Sequence, residues 1–172
     1  VVFATQNPVE HEGTYPLPLA QLDRFMFKTL IGYPEPEDEE RILMHHHAAE
    51  DSSHLAGFGI EPVCTPDDLL RARDEIRATF VRPEVVTYVR ELVVATRSDP
   101  NLLTGASPRA GLTLLMGAKS LARFEGRDFV TPDDVAEAFL PALRHRVVLS
   151  PASELEGQTP DDALRAVRTG VA

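Results

Sequence analysis

Residues 107–126 read SPRAGLTLLMGAKSLARFEG, and this stretch predicts the central helix of the fold. Proline suits the first position of a helix and glycine its end, so the helix is expected to begin after a capping Ser107 and to stop at Gly126. Its apolar residues recur three and four positions apart, as on one face of a helix, at Leu114, Ala118, Leu121 and Phe124.

The tetrapeptide Thr-Pro-Asp-Asp occurs three times, at residues 65–68, 131–134 and 159–162. Threonine caps a helix, proline fits the first helical position, and the two aspartates face the positive end of the helix dipole. We therefore interpret each copy as a helix start and not as a unit of a repeat. The last of these helices is expected to follow a polar loop at residues 154–158.

Helical spacing continues through the chain after residue 32. An acidic first turn predicts a helix over residues 37–49, and the spacing of the apolar residues predicts another over residues 83–97. Pro141 is expected to start a new turn, because proline has no N–H to donate inside a helix. No convincing strand stands in this region, so we predict an all-helical domain over residues 33–172.

The pattern before residue 32 is different. Two short apolar runs, residues 1–5 and 25–31, are typical of buried strands, and a helical patch lies between them at residues 19–23. A turn-forming Gly-Tyr-Pro-Glu-Pro then ends the pattern. We therefore predict a mainly α protein in which residues 1–32 are a remnant, about two strands, of an α/β core. Because Val1 is not an initiator methionine, the chain is expected to be part of something longer.

The composition is that of a soluble globular protein. The 172 residues are 43% hydrophobic, and 17 Lys and Arg stand against 27 Asp and Glu, for a net charge of -10. This charge disfavours nucleic-acid binding, which depends on cations that neutralise phosphates, and excludes a helix-turn-helix DNA binder. Cys64 is the only cysteine, so no intramolecular disulfide forms. No apolar stretch approaches the roughly 20 residues of a membrane span, and a cytoplasmic location is expected.

Arg109 breaks a rule that the other helix starts follow. It stands in the predicted first turn after Ser107 and Pro108, where a cation is disfavoured by roughly 0.3 to 1 kcal/mol. The three Thr-Pro-Asp-Asp starts place aspartate there instead. Two explanations stay open: a phosphate bound at the helix N-terminus beside the arginine, or an ion pair with a nearby carboxylate.

Three further features have a functional and a plain structural interpretation. Asn7 ends the first predicted strand, where α/β sheets place ligand-contacting groups, but a turn asparagine that stabilises its own backbone before proline is the more ordinary explanation. Arg24 closes the short helical patch and alone indicates only a surface residue. The histidines at residues 45–47 fan around one helix; His46 with Glu50, or His47 with Asp51, has the spacing of a metal pair, but solvated surface is favoured.

Two longer stretches resemble the MoxR family of AAA+ ATPases. They are ATQNPVEHEGTYPLPLAQLDRF at residues 4–25 and GASPRA at residues 105–110. The later EGRDFVTPDDV and LRHRVVL are also similar to the lid of that family. The similarity extends over nearly the whole chain, and it implies the end of an AAA+ nucleotide-binding core in residues 1–32 and an α-helical AAA+ lid in residues 33–172.

By this resemblance, three residues match functional positions of the family. Asn7 matches sensor 1, which helps to orient the water that attacks the γ-phosphate. Arg24 matches the arginine finger, which reaches the nucleotide of the neighbouring subunit. Arg109 matches sensor 2, which the lid carries onto the phosphates of its own subunit. These roles agree with the chemistry of phosphoryl transfer, which depends on positioning and on charge stabilisation.

The chain departs from the family pattern in two ways. Leu19 stands where the family commonly has glutamate, which puts in doubt the contact that this carboxylate would make across a subunit interface. The sequence also contains no GxxxxGK[ST] loop and no acidic strand end for Mg²⁺. ATP and Mg²⁺ are therefore expected to serve a longer parent, and this chain alone is expected to bind neither tightly and to be inactive.

The resemblance also implies partners. They are identical subunits in a hexameric ring, a client protein that ATP hydrolysis remodels or matures, and a von Willebrand factor A-type partner as in the family. Nucleic acid is not expected among them, and no membrane span is expected. The alternative function is a stand-alone helical adaptor that binds a protein partner and never contacts nucleotide.

Overall fold

Proline begins nearly every helix of this protein. The computed structural model describes residues 2–6, 17–48 and 60–171, and seven of the eight helices in these ranges begin at a proline. Its fixed φ suits the first helical position, where its missing N–H would be unpaired in any case. The helices are α1 (Leu19–Leu22), α2 (Pro36–Ala48), α3 (Pro66–Ala78), α4 (Pro83–Ala95), α5 (Pro108–Phe124), α6 (Pro132–Leu143), α7 (Pro151–Leu155) and α8 (Pro160–Val171).

The three Thr-Pro-Asp-Asp copies are helix starts, as predicted. Thr65 and Thr131 each occupy an N-cap position and form a capping box with the aspartate three residues later. At α8, the Thr159 hydroxyl accepts the Asp162 N–H at 3.2 Å, and the Asp162 carboxylate accepts the Thr159 N–H at 3.0 Å. These reciprocal bonds satisfy donors that the first helical turn leaves unpaired.

The central position predicted for α5 is confirmed. This helix packs against α3, α4 and α6, and α8 packs against α4 and α6. Phe124, at the last residue of α5, is 83% exposed, so the buried stripe ends before the helix does. Burial of the apolar face of these helices supplies the main stabilising free energy of the fold. The largest fully buried apolar side chains are Leu92, Leu114, Val135, Phe139, Leu143 and Leu164.

The strands lie where the sequence predicted helix alone. β1 (Leu102–Thr104) pairs antiparallel with β2 (Val148–Leu149), and Leu102 stands opposite Leu149. The prediction of an all-helical second region is therefore wrong in this detail. Segments of three and two residues are too short to show the alternating pattern that identifies a strand.

Neither of the two predicted strands, residues 1–5 and 25–31, is a strand over the residues that are described, which are 2–5 of the first and all of the second. A strand needs a neighbour to complete its ladder of hydrogen bonds, and the described residues supply none beside these segments. The larger prediction, a mainly α-helical fold with a small remnant of other structure before it, is confirmed. The domain boundary at residue 32 stays a prediction.

Pro141 lies inside α6, which continues to Leu143, so the predicted new turn is wrong. The helix forgoes only the one N–H bond that proline cannot donate, close to its C-terminal end. The Pro141 carbonyl oxygen accepts the N–H of Lys28 at 2.9 Å. The loop predicted at residues 154–158 is also partly wrong, because α7 extends to Leu155.

The elements before α4 add little to the core. No residue of α1 or α3 is buried. On α2, Ile42, Leu43 and Met44 are 59%, 70% and 65% exposed. No helix within the described ranges is long and apolar enough to cross a membrane.

Candidate functional site

A fixed turn leads into α5 and sets the position of Arg109. Gly105 approaches the residues after α4 so closely that a Cβ there would lie 2.6 Å from the Arg97 Cα, so only glycine fits. The Thr96 hydroxyl accepts the N–H of Ala106 at 2.9 Å, and Arg97 Nε donates to the Ala106 carbonyl oxygen at 2.9 Å. The end of α4 therefore holds the start of α5 in place.

Ser107 occupies the N-cap position of α5 but does not cap the helix. Its backbone is extended, with φ -74° and ψ 164°, and its side chain makes no cap hydrogen bond, so the predicted cap is wrong. The hydroxyl instead donates to Asp23 Oδ2 at 3.5 Å. The start of α5 is thereby connected to the residue that precedes Arg24.

Arg109 lies exposed in the first turn of α5, and this turn contains no acidic residue. Within residues 2–6, 17–48 and 60–171, no carboxylate pairs with its guanidinium and no hydrogen bond holds it. The ion pair that could have explained this residue is therefore not formed among these residues. A free guanidinium beside a helix N-terminus is a favourable place for an anion.

Arg24 follows α1 in a turn with fixed backbone. The N–H of Arg24 donates to the Gln21 carbonyl oxygen at 3.2 Å, and the N–H of Phe25 donates to the Leu22 carbonyl oxygen at 3.0 Å. The Arg24 side chain is exposed and has no hydrogen-bond or ion-pair partner in the described part of the chain. It can therefore extend outward from a backbone that does not need to move.

The residues on both sides of Arg24 are held by Arg146, which follows α6 and is only 3% exposed. Arg146 Nε donates to Asp23 Oδ1 at 2.8 Å, and Nη2 donates to the carbonyl oxygens of Asp23 at 3.0 Å and Phe25 at 2.5 Å. Nη1 donates to the Met26 carbonyl oxygen at 3.1 Å. One buried side chain therefore binds the backbone before and after the exposed arginine.

The same guanidinium also binds the helices around it. Nη2 donates to the Thr113 hydroxyl on α5 at 3.3 Å, and Nη1 donates to the Ala142 carbonyl oxygen on α6. Burial lowers the pKa of Arg146, the hydrogen bond and charge of Asp23 oppose this effect, and the cation of Arg109 adds to it. Arginine stays protonated in proteins, so this complete set of acceptors is what makes the buried charge tolerable.

His145 adds a second contact to this segment. The residue is 5% exposed, Nε2 lies 3.1 Å from the Phe25 carbonyl oxygen, and Nδ1 is buried with no hydrogen-bond partner among the described residues. Nε2 is therefore the donor nitrogen of the pair. Burial lowers the pKa of His145, and the cations of Arg146 and Lys28 add to this, while the bond to Phe25 and the charge of Asp23 oppose it.

Residues 23–28 form one anchored segment. At its far end, Arg144 Nη1 donates to the Lys28 carbonyl oxygen at 3.2 Å, and Arg144 also pairs with Asp161 of α8 at 2.9 Å. The Phe27 ring packs on α5 at Gly117, where a Cβ would lie 2.8 Å from its Cζ atom. The anchored segment is therefore bound to α5 and to the end of α6, chiefly through polar contacts.

Two family profiles match the chain. The profile for the AAA lid domain matches residues 79–167, and the profile for the ATPase family associated with various cellular activities (AAA) matches residues 1–27. The chain is 39% identical over 186 residues to chaperone MoxR1 of Mycobacterium tuberculosis, across 100% of this chain and 46% of that protein. The chain belongs to the MoxR-type AAA+ ATPases.

Two other proteins are similar to nearly the whole chain. The protein YeaC of Bacillus subtilis is 37% identical, with 99% of this chain and 52% of that protein covered. The crystal structure of a Cytophaga hutchinsonii protein assigned as an ATPase superposes with a TM-score of 0.82 at 34% identity, over 94% of this chain and 50% of the other. The chain thus spans about half the length of the relatives that it matches.

The structure describes two of the three residues that the MoxR resemblance singled out. Arg24 and Arg109 both lie exposed, and Asp23 and Ser107, their respective neighbours, are in contact. Asn7 lies outside the described residues. The roles of all three as sensor and finger residues stay predictions.

The histidine run at residues 45–47 lies on the exposed surface of α2. Glu50 and Asp51, the acidic members of the predicted metal pairs, lie outside the described residues. Within the residues that are described, no group of three or more His, Cys, Asp or Glu side chains is placed to hold a metal ion.

Sequence reasoning missed the residues that hold the site together, which are Asp23, His145 and Arg146. A signal was available in the MoxR-like LRHRVVL, where residues 144–146 interrupt an apolar run between Leu143 and Val147. Two cations and a histidine inside an apolar run indicate buried charge, which requires partners from elsewhere in the fold. The sequence did not indicate that those partners stand beside Arg24.

Proposed function

We propose that this chain is the sensor and lid part of a longer, ring-forming ATPase that uses Mg-ATP to remodel or mature partner proteins. In this proposal, residues 1–32 end the nucleotide-binding core and residues 33–172 form the lid. The observation that carries it is Arg109, an exposed cation in a first helical turn with no carboxylate partner among the described residues. Such a position is unfavourable for arginine unless a bound anion offsets the positive charge of the side chain and of the helix N-terminus.

The chemistry of the proposal divides between two arginines. Arg109 binds the phosphates of its own subunit as sensor 2, where the N-terminus of α5 adds its partial positive charge. Arg24 stabilises the charge that develops on the nucleotide of the neighbouring subunit, a contribution worth about 10³ to 10⁵ in rate for arginine fingers. Asn7 orients the attacking water as sensor 1.

The nucleotide and its metal are held mainly by parts of the longer protein. This sequence has no GxxxxGK[ST] loop, and the described residues include no group of three or more His, Cys, Asp or Glu side chains placed to hold a metal ion. The proposal includes a hexameric ring, a client protein and a von Willebrand factor A-type partner, with action in the cytoplasm. The name of the relative chaperone MoxR1 supports a chaperone-like role.

The test compares Arg24→Ala and Arg109→Ala in the full-length protein. We expect Arg24→Ala to lower kcat at least 10³-fold with nearly unchanged nucleotide affinity, because a finger acts in the transition state. Arg109→Ala should weaken nucleotide binding and turnover while the lid keeps its melting temperature, since removing a cation from a helix N-terminus does not destabilise the helix. Arg90→Ala, at another exposed arginine, is the control and should change neither quantity.

Mixed rings separate the two roles. Subunits with Arg24→Ala are combined with subunits whose phosphate-binding loop is inactivated, so that some interfaces join an intact loop to an intact finger. These rings should recover activity, whereas rings made with Arg109→Ala should not, because every intact loop then lacks its own sensor. Wild-type turnover in both variants, or recovery in neither mixture or in both, contradicts the proposal.

The second candidate function, a stand-alone helical adaptor, is favoured by one observation. Three consecutive apolar residues of α2, Ile42, Leu43 and Met44, are more than half exposed, as expected of a surface that binds another protein. An adaptor predicts that neither arginine variant alters nucleotide turnover and that Leu43→Asp abolishes partner binding. An ATPase with the proposed sites predicts the opposite response to the arginine variants.

A further inference from the structure

Arg146 makes contacts that the stability of the helices alone does not require. Of its six hydrogen bonds, four go to Asp23, Phe25 and Met26 in the anchored segment, and only two go to α5 and α6. Burying a guanidinium is costly, so a lid that needed only packing would be served as well by an apolar residue. The placement of this charge instead serves the segment that carries Arg24.

Asp23 is the point at which two parts of the site meet. Its Oδ1 atom accepts from Arg146 Nε at 2.8 Å, and its Oδ2 atom accepts from the Ser107 hydroxyl at 3.5 Å. Arg109 is two residues after Ser107, and Asp23 immediately precedes Arg24. A single carboxylate therefore joins the helix start that bears one exposed arginine to the turn that bears the other.

Arg146 strengthens this connection from the other side. Its Nη2 atom donates to the Thr113 hydroxyl, four residues after Arg109 on α5, and to the carbonyl oxygen of Phe25. The planar fork of arginine makes these bonds in fixed directions, which a lysine ammonium does not reproduce. The first turns of α5 and the turn at Arg24 are consequently held in one geometry.

We propose that the ion pair between Arg146 and Asp23 positions Arg24 for its action on the neighbouring subunit and couples that position to the α5 start that carries Arg109. Arg146 is thus a positioning residue that acts through Arg24 and does not itself touch nucleotide. The inference rests on the proposed ATPase function. To that function the inference adds a physical connection between the nucleotide site of one subunit and the nucleotide site of the next.

The test uses the full-length protein and two variants of the pair. Arg146→Lys keeps the charge but loses the fork, and Asp23→Asn keeps the shape and the backbone carbonyl but loses the charge. Each should lower kcat at least tenfold and leave the KM for ATP within about twofold, because the finger acts in the transition state. Arg127→Lys is the matched control, since Arg127 forms another partly buried ion pair of the lid, with Asp134. It should lower the melting temperature without changing kcat at a temperature where all variants are folded.

Two readouts distinguish positioning from general support. Arg146→Lys combined with Arg24→Ala should be no slower than Arg24→Ala alone, because both act on one group. In mixed rings with loop-inactivated subunits, Arg146→Lys should recover activity as Arg24→Ala does. If Asp23→Asn gives a wild-type kcat, or if the two losses multiply in the double variant, the inference is wrong while the proposed function stands. If Arg24→Ala itself retains turnover, both are wrong.

Discussion

The helices from α4 to α8 and the segment from residue 17 to residue 31 are held in place by different kinds of interaction. The first region buries a continuous apolar cluster, in which Leu92, Leu114, Phe139 and Leu164 have no exposed surface. The second has no buried residue at all, and its half-buried members are Leu22, Asp23 and Phe25. It is fixed by hydrogen bonds from polar and charged side chains at the end of α6.

This difference separates what folds the protein from what aligns its candidate site. Apolar burial is roughly proportional to area and has no direction, so it gives stability without setting an angle. Hydrogen bonds from a buried guanidinium are directional, so they set an orientation while adding little net stability. Changes in the first region should alter melting alone, whereas changes in the second should alter activity as well.

The largest expected effect is on the apolar region. Phe139→Ala should reduce the free energy of unfolding by about 3 to 5 kcal/mol, because it removes a fully buried ring and leaves a cavity. Denaturant unfolding followed by circular dichroism measures the change. Phe124→Ala removes an identical side chain from a site that is 83% exposed, so it should lower the free energy of unfolding by less than about 0.5 kcal/mol. Equal losses in the two variants would contradict the assignment of the core.

A smaller effect is expected where the helical region itself contains a buried ion pair. Asp134 accepts from Arg127 Nη2 at 2.5 Å and from Nη1 at 2.8 Å, and it also forms the capping box with Thr131. Asp134→Asn should cost about 2 to 3 kcal/mol, somewhat below the value for a fully buried pair because Arg127 is partly exposed.

The repeated tetrapeptide offers a control for this variant. Asp162 forms the same cap with Thr159 but is exposed, so Asp162→Asn should lower the melting temperature less than Asp134→Asn does. A thermal unfolding series on the two variants measures the difference. If Asp162→Asn proved as costly as Asp134→Asn, the buried pair would contribute nothing beyond the cap.

The smallest expected effect concerns the polar region and is a change in how the free energy of unfolding depends on pH. Because the pKa of His145 is lowered in the folded state, the unfolded chain binds more protons as the pH falls below about 6.5. The stability that neutral His145 contributes is complete above that pH and is lost as the pH falls toward the folded pKa. The slope from this one group is at most about 1.4 kcal/mol per pH unit.

His145→Gln should remove that part of the pH dependence, because glutamine does not titrate. Melting temperatures of the variant and of the wild type, measured from pH 7.5 to pH 5, follow the change. The same slope in His145→Gln and in the wild type would show that the protonation of His145 does not affect folding.

The sequence predicted the features that depend on neighbouring residues. Helix starts at Thr65, Thr131 and Thr159 follow from local capping chemistry, and the burial of Val85 and Val89 follows from helical spacing. The assignment of the chain to its family also rested on contiguous motifs. These predictions needed no knowledge of what lies across the fold.

The sequence did not predict features that depend on partners far along the chain. The Ser107 hydroxyl bonds to Asp23, 84 positions away, instead of capping its own helix, and four of the six hydrogen bonds of Arg146 go to residues 120 or more positions away. The two-residue strand β2 exists only because β1 lies beside it. Such interactions are set by tertiary packing, which local propensity does not contain.

The choice of acceptors around Arg146 determines how freely the sequence can change there. Four of its six bonds end on backbone carbonyl oxygens, at Asp23, Phe25, Met26 and Ala142, and a carbonyl is present whichever side chain follows. Substitution at Met26, whose side chain is 38% exposed, therefore leaves the acceptor intact. Selection for this geometry would fall mainly on two positions, 23 and 146, while their neighbours could drift.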